Sequence, residues 1–399
     1  MRPEEPEGLR ILALLADDPT GGGYGTSRYA AELHRALGSL HHTVAVASPM
    51  VRDEVEPPSG VAWQRPSMPL PVRHPDPTGQ VVLDACEMTA AALRAVRAGF
   101  APDLILAYGW GTAQAGEALR GVTGAPLMAV LHDTVAGRFA GGEMTPPLKY
   151  AAELEAWLIS RASAVVVPSR ALADEVVRGG SGLPPVHVVV PGARREVPRR
   201  PVNVADFRAM FARPGEPLVL FVGRLAAENG VGLLPAMLLA LRRRHPQARL
   251  VVAGEGPSGA ELERSIRSAS DLSSAVRFVG HVTGAPMGAL LDVADVLVLP
   301  SRYAPMRLAA IDGVAAGLPV VLSDLPGPLE PLAGVPKELV HVVPGVEPVK
   351  WAAAVAAAIE GPRRADPPAM PTSWVKAARV LVRRAAAHLQ RGRTDDHGI

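Results

Sequence analysis

With one cysteine, Cys86, in 399 residues, no internal disulfide can form. That points to a reducing, cytoplasmic setting, and a lone thiol is read first as a small buried hydrophobe. Aromatic residues make up only 4% of a chain that is 48% hydrophobic, so the cores must be built from Ala, Val and Leu. Neither sign of charge dominates: 41 basic residues face 39 acidic ones. A nucleic-acid binder needs a basic excess to neutralise phosphates, so no nucleic-acid partner is expected. No apolar run approaches the roughly 20 residues that cross a bilayer. The acidic start (Glu4, Glu5, Glu7) and the short apolar run at 11–16 do not make a signal peptide. The histidines are scattered, with no metal-ligand cluster and no Ser-His-Asp arrangement, so no metal site is expected.

What is present is alternation. The sequence predicts strands over 11–16, 43–47, 104–107, 127–131, 164–167 and 187–190. Helices are predicted near 27–37, 85–98, 112–119, 149–161 and 170–177. The segment 61–63 is a further candidate for pairing within an irregular, Pro-rich stretch over 49–78. A Pro- and Arg-dense stretch follows, and the pattern then restarts. Strands are predicted over 218–222, 250–253, 276–279, 296–299 and 341–343, with helices over 231–244 and 308–316. Such alternation implies parallel sheets covered on both faces. The expected division is a first domain over 1–195, a linker over 196–217, a second domain over 218–360, and a C-terminal helix and tail over 361–399. In that last helix Trp374, Val375, Ala378, Leu381, Val382, Ala385 and Leu389 form one apolar stripe among Lys376, Arg379, Arg383 and Arg384. The stripe can dock on protein or lie on an anionic membrane; its Ala content favours docking.

The stretch VLVLPSRYAPMRLAAIDGVAAGLPVV over 296–321 reads as strand, loop, helix, Gly-Pro stop, strand. Its loop lies at the carboxyl end of a strand, where open α/β sheets bind ligands. This stretch resembles the nucleotide-sugar loop of retaining glycosyltransferases of family 4, of the glycogen-synthase-like kind. That family reads Pro-Ser, two residues, Glu-Pro-Phe-Gly, then a second Glu seven residues after the first. Pro300 and Ser301 match, Ala304 replaces the first Glu, Met306 and Arg307 replace Phe-Gly, and Asp312 replaces the second Glu. Other segments resemble the family in the same order. LVLFVGRLAAENGVGLL supplies Arg224 at a phosphate-binding position and Asn229 where the family has Lys. LVVAGEGP and VRFVGHV match a glycine turn and the strand before the base-binding loop. GGGYGTS, with Gly22 and Gly23, matches the Gly-rich loop of the first domain, and APLMAVLHDTVAGRF places His132 where the family's sugar-contacting His stands. PDLILAYGWGTA keeps Trp110 but has Leu106, Tyr108 and Gly109 at polar family positions.

The resemblance implies an α/β GT-B fold: two Rossmann-like domains facing a central cleft, with a C-terminal helix crossing back to the first. It implies a metal-independent, retaining transfer of a hexose to a hydroxyl acceptor. A nucleotide diphosphate sugar serves as co-substrate, and there is no other cofactor. Implied donor-binding residues are Arg224, Asn229, Arg307, Asp312, Gly22 and Gly23, and the implied catalytic residue is His132. Three alternatives stay open. His132 is also readable as a structural histidine; Arg307 either supplies the cation absent at Asn229, obstructs the approach of the phosphates, or is a solvated arginine; and the chain is also readable as an inactive regulatory or scaffolding relative.

Overall fold

Strands form where β-branched and leucine side chains run without interruption, because a parallel sheet buries both of its faces. The computed structural model describes residues 6–18, 25–50, 57, 59–64, 77–139, 142–193, 203–361 and 367–389. The chain divides into two compact units, one of 1–192 with 372–399 and one of 193–371.

The first unit is built on seven parallel strands: β1 (Arg10–Leu15), β2 (Thr43–Ala47), β3 (Val61–Gln64), β4 (Leu104–Tyr108), β5 (Leu127–Val130), β6 (Ala164–Val167) and β7 (Val186–Val188). Their order is β3-β2-β1-β4-β5-β6-β7. Leu12 pairs with Ala45 on one side and Ile105 on the other, so β1 is where the winding reverses. The helix Gly25–Ser39 buries Tyr29, Ala30, Leu33 and Leu37. The C-terminal helix Trp374–Leu389 packs against it through Ala377, Ala378, Leu381, Val382 and Ala385, while Lys376, Arg379, Arg383 and Arg384 stay exposed. Its apolar stripe is covered by protein and is not available to a bilayer.

The second unit holds six parallel strands: β8 (Leu218–Val222), β9 (Arg249–Ala253), β10 (Val276–Gly280), β11 (Val296–Leu299), β12 (Val320–Ser323) and β13 (Val340–Val343). Their order is β10-β9-β8-β11-β12-β13, so the reversal falls between β8 and β11. Trp351 is fully buried in this core, and its indole donates to the Gly345 carbonyl at 3.0 Å.

Several expectations need adjusting. Cys86 is exposed rather than buried. It lies in the helix Pro77–Arg97, whose inward stripe is Ala85, Met88, Ala91, Ala92 and Ala95, and one step of about 100° from Ala85 turns the thiol outward. That helix starts eight residues before the expected 85. Residues 203–217, assigned to the linker from composition, are tied into the second unit. There Arg208 of the short helix Val204–Ala209 pairs with Asp295 at 2.8 Å and donates to the Glu216 carbonyl at 2.9 Å. The predicted helix over 231–244 opens as a 3-10 turn, Val231–Leu233, and becomes α-helical over Leu234–Arg242. Among the described residues no helix is long and apolar enough to cross a membrane.

Truncating Leu381 to alanine removes a fully buried side chain from the contact between the first and last helices of the unit. We expect Leu381→Ala to destabilise the protein by about 2–5 kcal/mol in urea unfolding. A loss below about 0.5 kcal/mol, the size of an ordinary surface substitution, would contradict this packing.

Candidate functional site

In an open parallel sheet the loops at the carboxyl ends of the two strands flanking the reversal diverge and leave a crevice. In the second unit those loops follow β8 and β11 and carry most of the residues singled out from sequence. After β8, the Leu225 amide donates to the Glu255 carbonyl at 2.8 Å, and a 3-10 turn runs over Ala227–Asn229. Gly230 then takes a left-handed conformation, φ 69°, and a Cβ there would fall 1.7 Å from the Pro300 carbonyl oxygen. Only glycine lets the two loops come this close. The Arg302 amide donates to the Glu228 carbonyl at 2.8 Å and joins the same loops by hydrogen bonding.

At this junction the Asn229 amide group is used at both ends. Its Nδ2 donates to the Arg224 carbonyl at 2.7 Å, and its Oδ1 accepts from Arg307 Nη2 at 2.6 Å. Arg307 Nε donates to Ser301 Oγ at 2.8 Å, and Nη2 also reaches that hydroxyl. Nη1 lies 3.4 Å from the Cβ position of Gly223. The direct partners of this guanidinium are neutral. Burial lowers the Arg307 pKa to about 10, against the opposing influence of Glu228. Among the described residues no carboxylate stands within ion-pair distance of it. The Arg224 side chain is exposed at the same turn. Asp312 is buried in the helix Leu308–Ala315, one turn beyond the loop, and Ala304 is partly buried in the loop itself.

His132 follows β5 in the first unit and has its own surroundings. Its ring lies edge-on to Tyr29, with centroids 4.4 Å apart, and parallel to Tyr108 at 6.0 Å. Tyr108 in turn meets His34 Nε2 at 3.0 Å, and Tyr29 donates to the Val189 carbonyl at 2.9 Å. Tyr29 also stands 5.1 Å from the Trp374 ring. Burial lowers the His132 pKa to about 3, helped by Arg138, so the imidazole is neutral at ordinary pH. Its Nε2 is buried and unpaired among the described residues. The next residues form a tightly held turn. Thr134 caps the helix Val135–Arg138 by accepting from Gly137 N at 2.9 Å, and its hydroxyl donates to Glu175. Asp133 pairs with Arg138. The Val135 amide donates to both carboxyl oxygens of Glu155, at 3.1 and 3.2 Å. Burial raises the Glu155 pKa to about 7; the Val135 hydrogen bond works against this, and Asp133 and Glu175 add to it.

The structure therefore brings Asn229, Arg307 and the Arg224 backbone together at one turn, with Asp312 on the adjoining helix, and it keeps His132 in the first unit. Gly22 and Gly23 lie outside the described residues. Two readings change. Arg307 is not a solvated arginine, and Asn229 spends its hydrogen-bonding capacity on Arg224 and Arg307 rather than presenting a free donor. Sequence reasoning gave Tyr29 only a packing role and missed Glu155 as a site-forming residue. For Glu155 a signal existed: a carboxylate sits beside the apolar stripe Ala151, Leu154, Leu158, Ile159 of the helix Pro146–Arg161. Among the described residues no cluster of three His, Cys, Asp or Glu could hold a metal.

Two parallel-sheet units, the second with candidate residues gathered where its winding reverses, have the GT-B architecture, and known proteins match along nearly the whole chain. A family model described as Glycosyltransferase Family 4 matches residues 23–197, and one described as Glycosyl transferases group 1 matches residues 216–360. The chain belongs to the family 4 glycosyltransferases. It is 35% identical to a glycogen synthase of Mycobacterium tuberculosis over 245 residues, 60% of this chain and 57% of that protein. It is 30% identical to a D-inositol 3-phosphate glycosyltransferase of Salinispora tropica over 292 residues, 67% of this chain and 59% of that one. The chain thus spans a little over half the length of these curated relatives. Among solved structures it is similar to the sucrose-phosphate synthase of Thermosynechococcus elongatus, with TM-score 0.71, 22% identity and 97% and 98% of the two chains covered. It is also similar to Anabaena HepE in complex with UDP-glucose, with TM-score 0.63, 17% identity and 96% and 95% covered.

The buried Glu155 has a consequence for stability. Its folded pKa, about 7, lies above the ordinary 4.5, so the folded protein holds a proton that the unfolded chain releases first. Stability from this group is complete below about pH 4.5, falls as pH rises, and is lost above about pH 7. Glu155→Gln keeps an acceptor for Val135 and should remove that decline, which melting temperatures across the interval would report. An unchanged slope in the variant would contradict the assignment.

Proposed function

We propose that the adjoining loops after β8 and β11 hold the diphosphate of a nucleotide-sugar donor, and that the chain transfers the hexose to a hydroxyl acceptor with retention. The observation that carries this is Arg307, a half-buried arginine whose hydrogen-bond partners, Ser301 and Asn229, are both neutral. A partly desolvated cation with no carboxylate in hydrogen-bond contact is costly, and an anion arriving beside it relieves the cost. In the transfer the bond from the sugar to the diphosphate breaks, and negative charge grows on the leaving oxygen. Fixed cations aimed there stabilise it. Arg307 and the exposed Arg224 are assigned that role. Asn229 orients Arg307, and Asp312 is assigned to the ribose hydroxyls. In the first unit neutral His132 offers Nε2 to a hydroxyl of the transferred sugar, as a hydrogen-bonding group rather than a proton carrier. The leaving-group charge is met by arginines in this scheme, so activity should survive EDTA.

A second reading has its own support. Ala304 stands where a carboxylate would contact the donor sugar, which favours a protein that binds the nucleotide without turnover. Calorimetry and product analysis against a panel of UDP-, ADP- and GDP-sugars separate the two. Turnover supports the transferase, binding alone supports the inactive relative, and the absence of both overturns the diphosphate assignment. Charged hydrogen bonds contribute about 1.5–3 kcal/mol, so Arg224→Ala should weaken nucleoside diphosphate binding by roughly ten- to a hundredfold. Equal affinity in the variant would remove Arg224 from the site.

A further inference from the structure

His132 has no hydrogen bond at Nε2 among the described residues, and its ring is bounded by Tyr29 and Tyr108. Aromatic walls limit tilt, but they do not fix how far the ring extends from the strand. That is set by the backbone of the turn that carries it. The turn is gripped from two helices. Glu155, on Pro146–Arg161, accepts the Val135 amide with both oxygens, and Glu175, on Arg170–Arg178, accepts the Thr134 hydroxyl. We propose that Glu155 is a positioning residue for His132, its carboxyl group clamping the turn through the Val135 amide and setting where the imidazole stands. The proposal rests on the reading of His132 as the group that meets the transferred sugar.

The clamp has two charge states. Asp133 and Arg138 face Glu155 from the turn and its short helix, and Glu175 faces it from the neighbouring helix. With Glu155 neutral, two carboxylates share the neighbourhood with one guanidinium. With Glu155 ionised there are three, and like charges held this close repel. The buried carboxyl changes state near pH 7, within the ordinary working range. Ionisation strengthens the Val135 hydrogen bond while Asp133 and Glu175 repel the new charge, so the turn, and with it the placement of His132, shifts as pH rises.

The test uses the full chain with histidine labelled in 15N and 13C, the His132 signals being assigned by their loss in His132→Gln. The imidazole itself stays neutral, since its pKa is about 3, so movement of its signals near neutrality reports a neighbour. We expect the wild-type His132 signals to move with an inflection near pH 7 and those of Glu155→Gln to stay flat. In parallel, kcat for sugar transfer should change severalfold through the same interval in the wild type but not in the variant, with KM for the donor unchanged. Flat wild-type signals, or an inflection that survives in Glu155→Gln, would overturn the clamp. Signals that behave as expected without turnover of any nucleotide sugar would leave the clamp standing and overturn the transferase reading instead.

Discussion

A half-buried arginine whose hydrogen-bond partners are both neutral organises the second unit's site. Arg307 could have been paired with an acid or left in water; instead it is enclosed by Ser301 and Asn229. Holding it there depends on the neighbouring backbone. Gly230 must adopt its left-handed conformation so that the β8 turn can touch Pro300, and Asn229 is then at the right place to accept from the guanidinium. The β8–β11 order is what puts those two turns side by side. Sheet topology, one glycine and one amide together fix the position of a cation. The guanidinium of one loop thus stands beside the Asn229 side chain of its neighbour.

The first unit solves a different problem. Its candidate residue must be uncharged, and burial between two tyrosines achieves that for His132. The same burial extends to the helices beneath, where it raises Glu155. Tyr29 connects this cluster to the C-terminal helix through Trp374 and to the end of the unit's sheet region through the Val189 carbonyl. The last helix of the chain is thereby part of the support of a residue some 240 positions earlier in sequence, as 374 and 132 differ by 242.

Much of the fold is legible in the residues themselves. Runs such as Leu218–Val222, Ala164–Val167 and Val296–Leu299 are strands over the expected residues, because a strand buried on both faces has no polar interruptions and ends at Gly or Pro. Periodicity finds elements but not exposure. Cys86 lies one residue from the inward stripe of its helix, and residue type alone misjudged which side it takes. The Pro- and Arg-rich stretch before Leu218 read as linker because composition does not reveal that Arg208 finds Asp295, far along the chain. At the site, the motif frame located Arg224, Arg307 and Asp312, since a βαβ unit places its loop in a known relation to its strands. Partnerships between loops are not local. The link between Asn229 and Arg307 is reached only through the motif frame, and nothing near Val135 announces Glu155.

The central claim, that Arg307 carries the charge the family places at 229, is tested most directly by a two-position exchange read by calorimetry with UDP and ADP. Arg307→Gln removes the cation and should weaken binding of the nucleoside diphosphate by roughly tenfold or more, the scale of one charged hydrogen bond. Adding Asn229→Lys in that background should restore most of the loss, because the charge returns to the same pocket from the other loop. In the presence of the native Arg307, Asn229→Lys should instead be unfavourable, with two cations in contact. A folded Arg307→Gln protein that binds the nucleoside diphosphate as tightly as the wild type would contradict the account.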